Sequence, residues 1–252
     1  MQALILPARR GWRWIVEGHQ IYSKNRMMLS VLVFGYWLLM MAVNSVPIVG
    51  QIVATICLPA LSVSLMNACR RIEQNASLTP QLLFSGFSEH LRTLLILGGI
   101  YMAAALAIFA ATMLADGGTL FRLFVVGGQS EEVPAPGSIM LAAQVATVLF
   151  LPLVMAYWYA PVLAAWHGYS APKSLFFSLV ACLRNWRAFL VYSLGLLGCG
   201  IVLLIVASSV SAAFSGAGRL SLLVVSFVGM PIVYASFYVS YRDVFVAVSE
   251  DA

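Results

Sequence analysis

Six apolar windows, none containing a charged residue, set the limits of what this chain can fold into: Met28–Val43, Ile52–Ala68, Leu94–Leu114, Ile139–Ala165, Ala188–Val210 and Leu220–Tyr241. Each is near the length of about 20 residues that a helix needs to cross a hydrocarbon core. They are longer than barrel strands require and lack alternation at period two, so α-helices are the one way to satisfy their backbone amides in lipid. A hydrophobic content of 62%, a charged content of 9% and a mean hydropathy of +0.95 exclude an ordinary soluble domain. The first two windows are slightly short, and Asn44, Ser45, Pro47, Gly50 and Gln51 mark a tight turn between them. That pair reads either as two spans or as one hydrophobic hairpin with its ends at the interface.

A threefold recurrence organises the windows. With Gly18, Gly86 and Ser178 set as equivalent, Trp12, Pro80 and Pro172 align before them, and Lys24, Arg92 and Arg184 align after them. Asn25, Thr93 and Asn185 follow one position later. Each copy therefore reads as an amphipathic stretch followed by two spans, the second carrying a proline: Pro59, Pro152 or Pro231. The predicted fold is all-α and polytopic, with six transmembrane helices as three parallel repeats of an interfacial amphipathic helix and two transmembrane helices. It forms one integral membrane domain over 1–252, with repeats at about 9–77, 78–169 and 170–247 and an outer loop at 116–138 in the second.

Charge gives the orientation. Of 14 lysines and arginines, only Arg122 and Arg219 fall on the side opposite the termini, which predicts a bacterial inner (cytoplasmic) membrane protein with both ends cytoplasmic. The net charge of +5 is on this reading a topology signal, and no nucleic-acid partner is expected. The N-terminal stretch lacks a central apolar run with a small-residue cleavage site, so the first span reads as an uncleaved insertion signal.

The amphipathic stretches carry the candidate binding residues. Trp14, Ile15, Gly18, Ile21 and Tyr22 form a stripe in the first copy, Leu83, Phe87, Leu91 and Leu94 in the second, and Leu175, Leu179, Leu183 and Trp186 in the third. Helices of this kind lie on a membrane with apolar residues in the acyl boundary and basic residues toward phosphates. Lys24, Arg92, Arg184 and Arg187 are the candidate lipid-headgroup contacts; the plainer reading makes them anchors that set the entry angle of the next span. Pro59, Pro152 and Pro231 are candidate kink or cavity positions. Arg70 and Arg242 stand at the same distance beyond the first and third of these prolines, where the middle copy has Leu163.

Other chemistry is sparse. No ionisable residue lies near a predicted midplane, His19, His90 and His167 occur singly, and Cys57, Cys69, Cys182 and Cys199 form no CxxC pair. No catalytic residue, cofactor or metal ligand is expected, and Cys69 and Cys182 read as packing residues rather than ligands or lipidation sites. In the outer loop, Leu120, Phe121 and Leu123–Val126 form an apolar patch expected on the bilayer or on a partner.

The stretches LPARRGWRWIVEGHQIYSKN, LPALSVSLMNACR, ADGGTLFRL, WYAPVLAAWHGYSAPKSLFFSLVACLRNWRAFLVY and SFYVSYRDVF resemble a family of uncharacterised six-helix transmembrane proteins of proteobacteria, mainly beta-proteobacteria. The likeness spans nearly the whole chain and implies an inner-membrane location without a substrate. The plan is also distantly similar to the membrane domain of bacterial glycerophosphodiester phosphodiesterases, a likeness that carries no catalytic residue over. Two functions follow as expectations. One is a non-enzymatic accessory or scaffold component associating with membrane lipids or other integral membrane proteins. The other is a transporter or lipid-handling protein with a cavity lined by kinked even-numbered helices.

Overall fold

The computed structural model describes residues 4–88, 90–118, 136–213 and 218–245. Within them the secondary structure is helical throughout: α1 (Arg10–Lys24), α2 (Arg26–Asn44), α3 (Val49–Glu73), a 3₁₀ helix (Pro80–Phe87), α4 (Leu91–Asp116), α5 (Pro136–Trp158), α6 (Ala160–His167), α7 (Ala171–Arg184), α8 (Trp186–Ala213) and α9 (Gly218–Phe245). Among the described residues five helices are long and apolar enough to cross a membrane: Arg26–Asn44, Val49–Glu73, Leu91–Leu114, Met140–His167 and Trp186–Val210. The sixth apolar window lies inside α9. The apolar patch predicted at Leu120–Val126, with Glu131 and Glu132, lies outside the described residues.

The first two windows are separate helices. Asn44 Nδ2 donates to the Met40 carbonyl and Ser45 Oγ to that of Ala42, stopping α2, while Ile48 takes φ of 62° to reverse the chain. A β-branched residue rarely adopts this left-handed conformation, so the turn is a strained one. At the other end of the molecule the start of the described chain meets the end of α9: the Leu4 amide donates to the Val244 carbonyl, and the Asn185 side chain holds Leu4 and Leu6.

Two sequence expectations need correction. The amphipathic stretch of the second copy is a 3₁₀ helix, and His90, at φ of 48°, separates it from Leu91 and Leu94, which belong to α4. A continuous α-helical stripe from Leu83 to Leu94 therefore does not form. The stripe on α1 also faces protein rather than acyl chains, with Trp14 0% exposed between the rings of Phe189 and Tyr192. On α7 the buried face is made of Ala171, Ser174, Ser178, Ala181 and Cys182, while Leu183 points outward, as does Trp186 at the start of α8. Small side chains permit close helix approach, and without water no force drives leucines inward.

Close approach follows one rule at the three aligned positions. A Cβ on Gly18 would fall 2.6 Å from the Ser236 Cα in α9, and one on Gly86 would fall 1.9 Å from the Ala60 carbonyl in α3. Ser178 instead uses its hydroxyl: it donates to the Met155 carbonyl at 2.8 Å and accepts the Tyr159 amide at 2.9 Å. That hydroxyl is inserted into what would be an i to i−4 backbone bond, at the junction where α5 gives way to α6. Each amphipathic stretch thus packs on a proline-bearing helix, and the first packs on the last.

The main core lies at the terminus-bearing end. Trp14, Leu29, Leu65, Met66, Tyr159, Leu163, Tyr238 and Val239 are all buried there in one cluster. Helix α3 is central, with 56% of its most apolar window buried, against 6% for both the α5–α6 span and α8.

Candidate functional site

Charged side chains converge where α3 and α9 end against one face of α1. Arg242 and Asp243 are neighbours at the end of α9, and their side chains touch at 3.3 Å while each also reaches partners on other helices. Asp243, only 8% exposed, binds Arg10 Nε and accepts from Trp14 Nε1 at 2.9 Å. Arg10 Nη1 continues to Glu17 Oε1 at 2.9 Å, and Arg242 Nη2 reaches Glu17 Oε2 at 2.7 Å. Arg242 Nη1 binds Glu73 Oε1, and Tyr238 donates its hydroxyl to Glu73 Oε2 at 2.5 Å. Two arginines and three carboxylates thereby join the first, third and last α-helices.

The helical spacing explains the arrangement. Arg10, Trp14 and Glu17 follow one another at i, i+4 and i+7, so one face of α1 presents a cation, an indole donor and an anion in line. The Asp243 carboxylate hydrogen-bonds the Arg10 guanidinium and raises its pKa above the ordinary arginine value, against the opposing effect of burial. Arg10 remains charged at any physiological pH. A partly buried network of this kind is costly to break at one member, because the others lose their compensation.

Beside the network lie two recesses. One, of about 340 Å³, is lined by Arg13, Gln20, Lys24, Glu17, Glu73 and Arg242 among others. A second, of about 210 Å³, is lined by Arg70, Trp166, His167, Tyr238, Tyr241, Arg242 and Phe245. The Arg70 guanidinium sits 4.9 Å from the Trp166 ring centre, Trp166 Nε1 donates to Asn67 Oδ1 at 2.9 Å, and His167 Nε2 lies 2.7 Å from the Tyr241 hydroxyl. A third cavity, of about 880 Å³ and mostly apolar, lies far from this end, between the α2–α3 turn and helices α3, α4 and α5. Gln51, Thr55, Tyr101, Phe109 and Phe150 are among its walls.

The residues singled out from sequence are spread around this centre. Lys24, Arg92, Arg184 and Arg187 are exposed, and Arg187 lies over its neighbour Trp186. Pro59 and Pro231 are buried and Pro152 is exposed; none of the three lines the cavities described above. Cys69 and Cys182 are buried, and burial in α7 pushes the Cys182 thiol up to about 12, which keeps it protonated. Among the described residues no group of three or more His, Cys, Asp or Glu is placed to hold a metal ion.

Sequence reasoning missed Glu17, Glu73 and Asp243. Counting basic residues for topology drew attention from the acids at the same end. The available signal was the adjacent pair Arg242 and Asp243 closing an otherwise apolar window.

The chain is 34% identical over 255 residues to a probable inner membrane protein of Burkholderia thailandensis, an alignment covering 97% of this chain and 94% of the relative. No protein-family model matches it. No solved structure matches it.

Proposed function

The chain belongs to the family of this Burkholderia inner membrane protein and is a multi-pass helical protein of the inner membrane, and we propose that it acts there as a non-enzymatic accessory or scaffold component. The observation that carries this reading is the unequal burial of its spans. α3 is enclosed, whereas the α5–α6 span and α8 each bury 6% of their most apolar window. Two long apolar faces are thereby left for lipid or for another spanning chain.

In this reading six spans form three repeats around an axis near the membrane normal. Support comes from the packing of Gly18 on Ser236, Gly86 on Ala60, and Ser178 between Met155 and Tyr159. In the same reading both termini are cytoplasmic, which the distribution of lysine and arginine supports. Lys24, Arg92, Arg184 and Arg187 then meet lipid phosphates at that surface. The distant likeness to the membrane domains of glycerophosphodiester phosphodiesterases fits the same plan of elbows and paired spans.

A lipid-handling reading has its own observation, the apolar cavity of about 880 Å³ beside α3, α4 and α5. The two readings part on extraction into native lipid particles followed by mass spectrometry. A scaffold gives a second chain in constant ratio through two mild extraction procedures. A protein recovered alone, together with lipid transfer between vesicles that depends on it, overturns the scaffold reading. Labelling of introduced cysteines checks the orientation: a site beside Glu131 reacts from the periplasm and one beside Lys173 does not.

A further inference from the structure

Arg70 and Arg242 occupy equivalent places in sequence, eleven residues beyond Pro59 and Pro231, yet their surroundings differ. Arg242 is saturated by Glu17, Glu73 and Asp243. Arg70 has no carboxylate partner among the described residues. Its guanidinium is held over the Trp166 ring at 4.9 Å, and that ring is itself fixed by the bond from Nε1 to Asn67. Asn67 is steadied in turn by Ser85, to which its Nδ2 donates at 3.1 Å. A cation is therefore positioned without being neutralised.

The recess that it borders is lined by no acidic residue. Arg70, His167 and the Tyr241 hydroxyl supply polar groups, Trp166 and Phe245 supply apolar walls, and Arg242 stands at the rim with its charge already shared. A stacked guanidinium presents a planar fork of N–H donors suited to an oxyanion. The recess of about 210 Å³ is open at the end of the spans, where the polar and apolar layers of a bilayer meet. A phosphate group matches each of these conditions: it accepts several hydrogen bonds, carries the counter-charge that Arg70 lacks, and can be joined to an apolar body that rests on Phe245 and Trp166.

We propose that the recess formed by Arg70, Trp166, His167, Tyr241 and Phe245 is a binding site for a phosphate ester, supplied either by a phospholipid headgroup or by a free phosphorylated molecule. It is separate from the exposed series Lys24, Arg92, Arg184 and Arg187, and it does not depend on the scaffold reading.

The full chain in detergent is titrated calorimetrically with short-chain phosphatidic acid, with glycerol 3-phosphate, with inorganic phosphate, and with short-chain diacylglycerol, which lacks the phosphate. Phosphatidic acid binds and diacylglycerol does not. Glycerol 3-phosphate binding as tightly as the lipid identifies a free ligand as the source; binding of the lipid alone identifies a headgroup. Arg70→Gln weakens binding about tenfold, the value of a lost charge-assisted pair. Arg71→Gln, one residue further along α3 and outside the recess, leaves it unchanged. Arg70→Lys keeps the charge without the planar fork and gives an intermediate loss at an unchanged melting temperature, which carries the test if Arg70→Gln misfolds. Equal affinity of wild type and both Arg70 variants, equal weakening by Arg71→Gln, or no binding of any phosphate compound overturns the proposal.

Discussion

The terminus-bearing end and the opposite halves of the spans are built from similar apolar residues but held together differently. At the first, Trp14, Tyr159, Tyr192 and Tyr238 are buried in edge-to-face contacts and hydrogen bonds, and five charged residues join three helices. At the second, residues 201–206 of α8 are exposed at every position, and Leu114 is 92% exposed. Hydrophobicity does not separate the two ends. What separates them is the presence of groups with directional needs, because in lipid an exposed leucine costs nothing while an unpaired indole, hydroxyl or carboxylate does.

Substitutions matched across the two ends test this contrast. The largest effect is expected from Trp14→Ala, which removes a fully buried ring and the donor to Asp243 and destabilises by about 3–5 kcal/mol. Leu204→Ala, at a 55% exposed position, changes the denaturant midpoint in detergent little. Equal losses at the two sites would break the comparison. Next comes Asp243→Asn, which keeps an acceptor for Trp14 and leaves Arg10 without its buried anion. A loss of about 2 kcal/mol is expected, below the cost of breaking a fully buried pair because Arg10 is partly exposed.

Gly18→Ala sharpens the point about close approach. The added methyl meets the Ser236 backbone, so α1 shifts from α9 at a cost of about 1–3 kcal/mol. Gly198→Ala finds nothing within 4 Å and is neutral or slightly stabilising. The smallest of the expected losses belongs to Ser178→Ala, which removes the hydroxyl bridging Met155 and Tyr159. It lowers stability by about 1–2 kcal/mol, read as a shift in thermal midpoint.

The same contrast explains what could be read in the sequence. The apolar windows gave the long helices because the absence of charge is a local property, and α2, α3, α4 and α8 lie where they were expected. The aligned Gly18, Gly86 and Ser178 were visible as a pattern, but the surfaces they meet, on Ser236, Ala60 and Met155, were not. The break at Tyr159 follows from its bond to Ser178, and the 3₁₀ form of Pro80–Phe87 was likewise hidden from residue spacing. The ionic network was the least legible part. Arg10 and Asp243 are 233 positions apart, and only the folded chain makes them neighbours.

The packing of α1 on α9 also sets an order of events during synthesis. Arg10 leaves the ribosome 233 residues before its partner Asp243, which Trp14 also awaits. At about 5–20 residues per second, the first helix waits on the order of tens of seconds with its indole and charged face unmatched. Until the final span arrives, the nascent protein has a seam, and any truncation before Asp243 leaves that seam permanently open. The bond from the Leu4 amide to the Val244 carbonyl closes the same seam from the other side. A pairing across 233 positions thus makes the seating of α1 depend on whether α9 has been made.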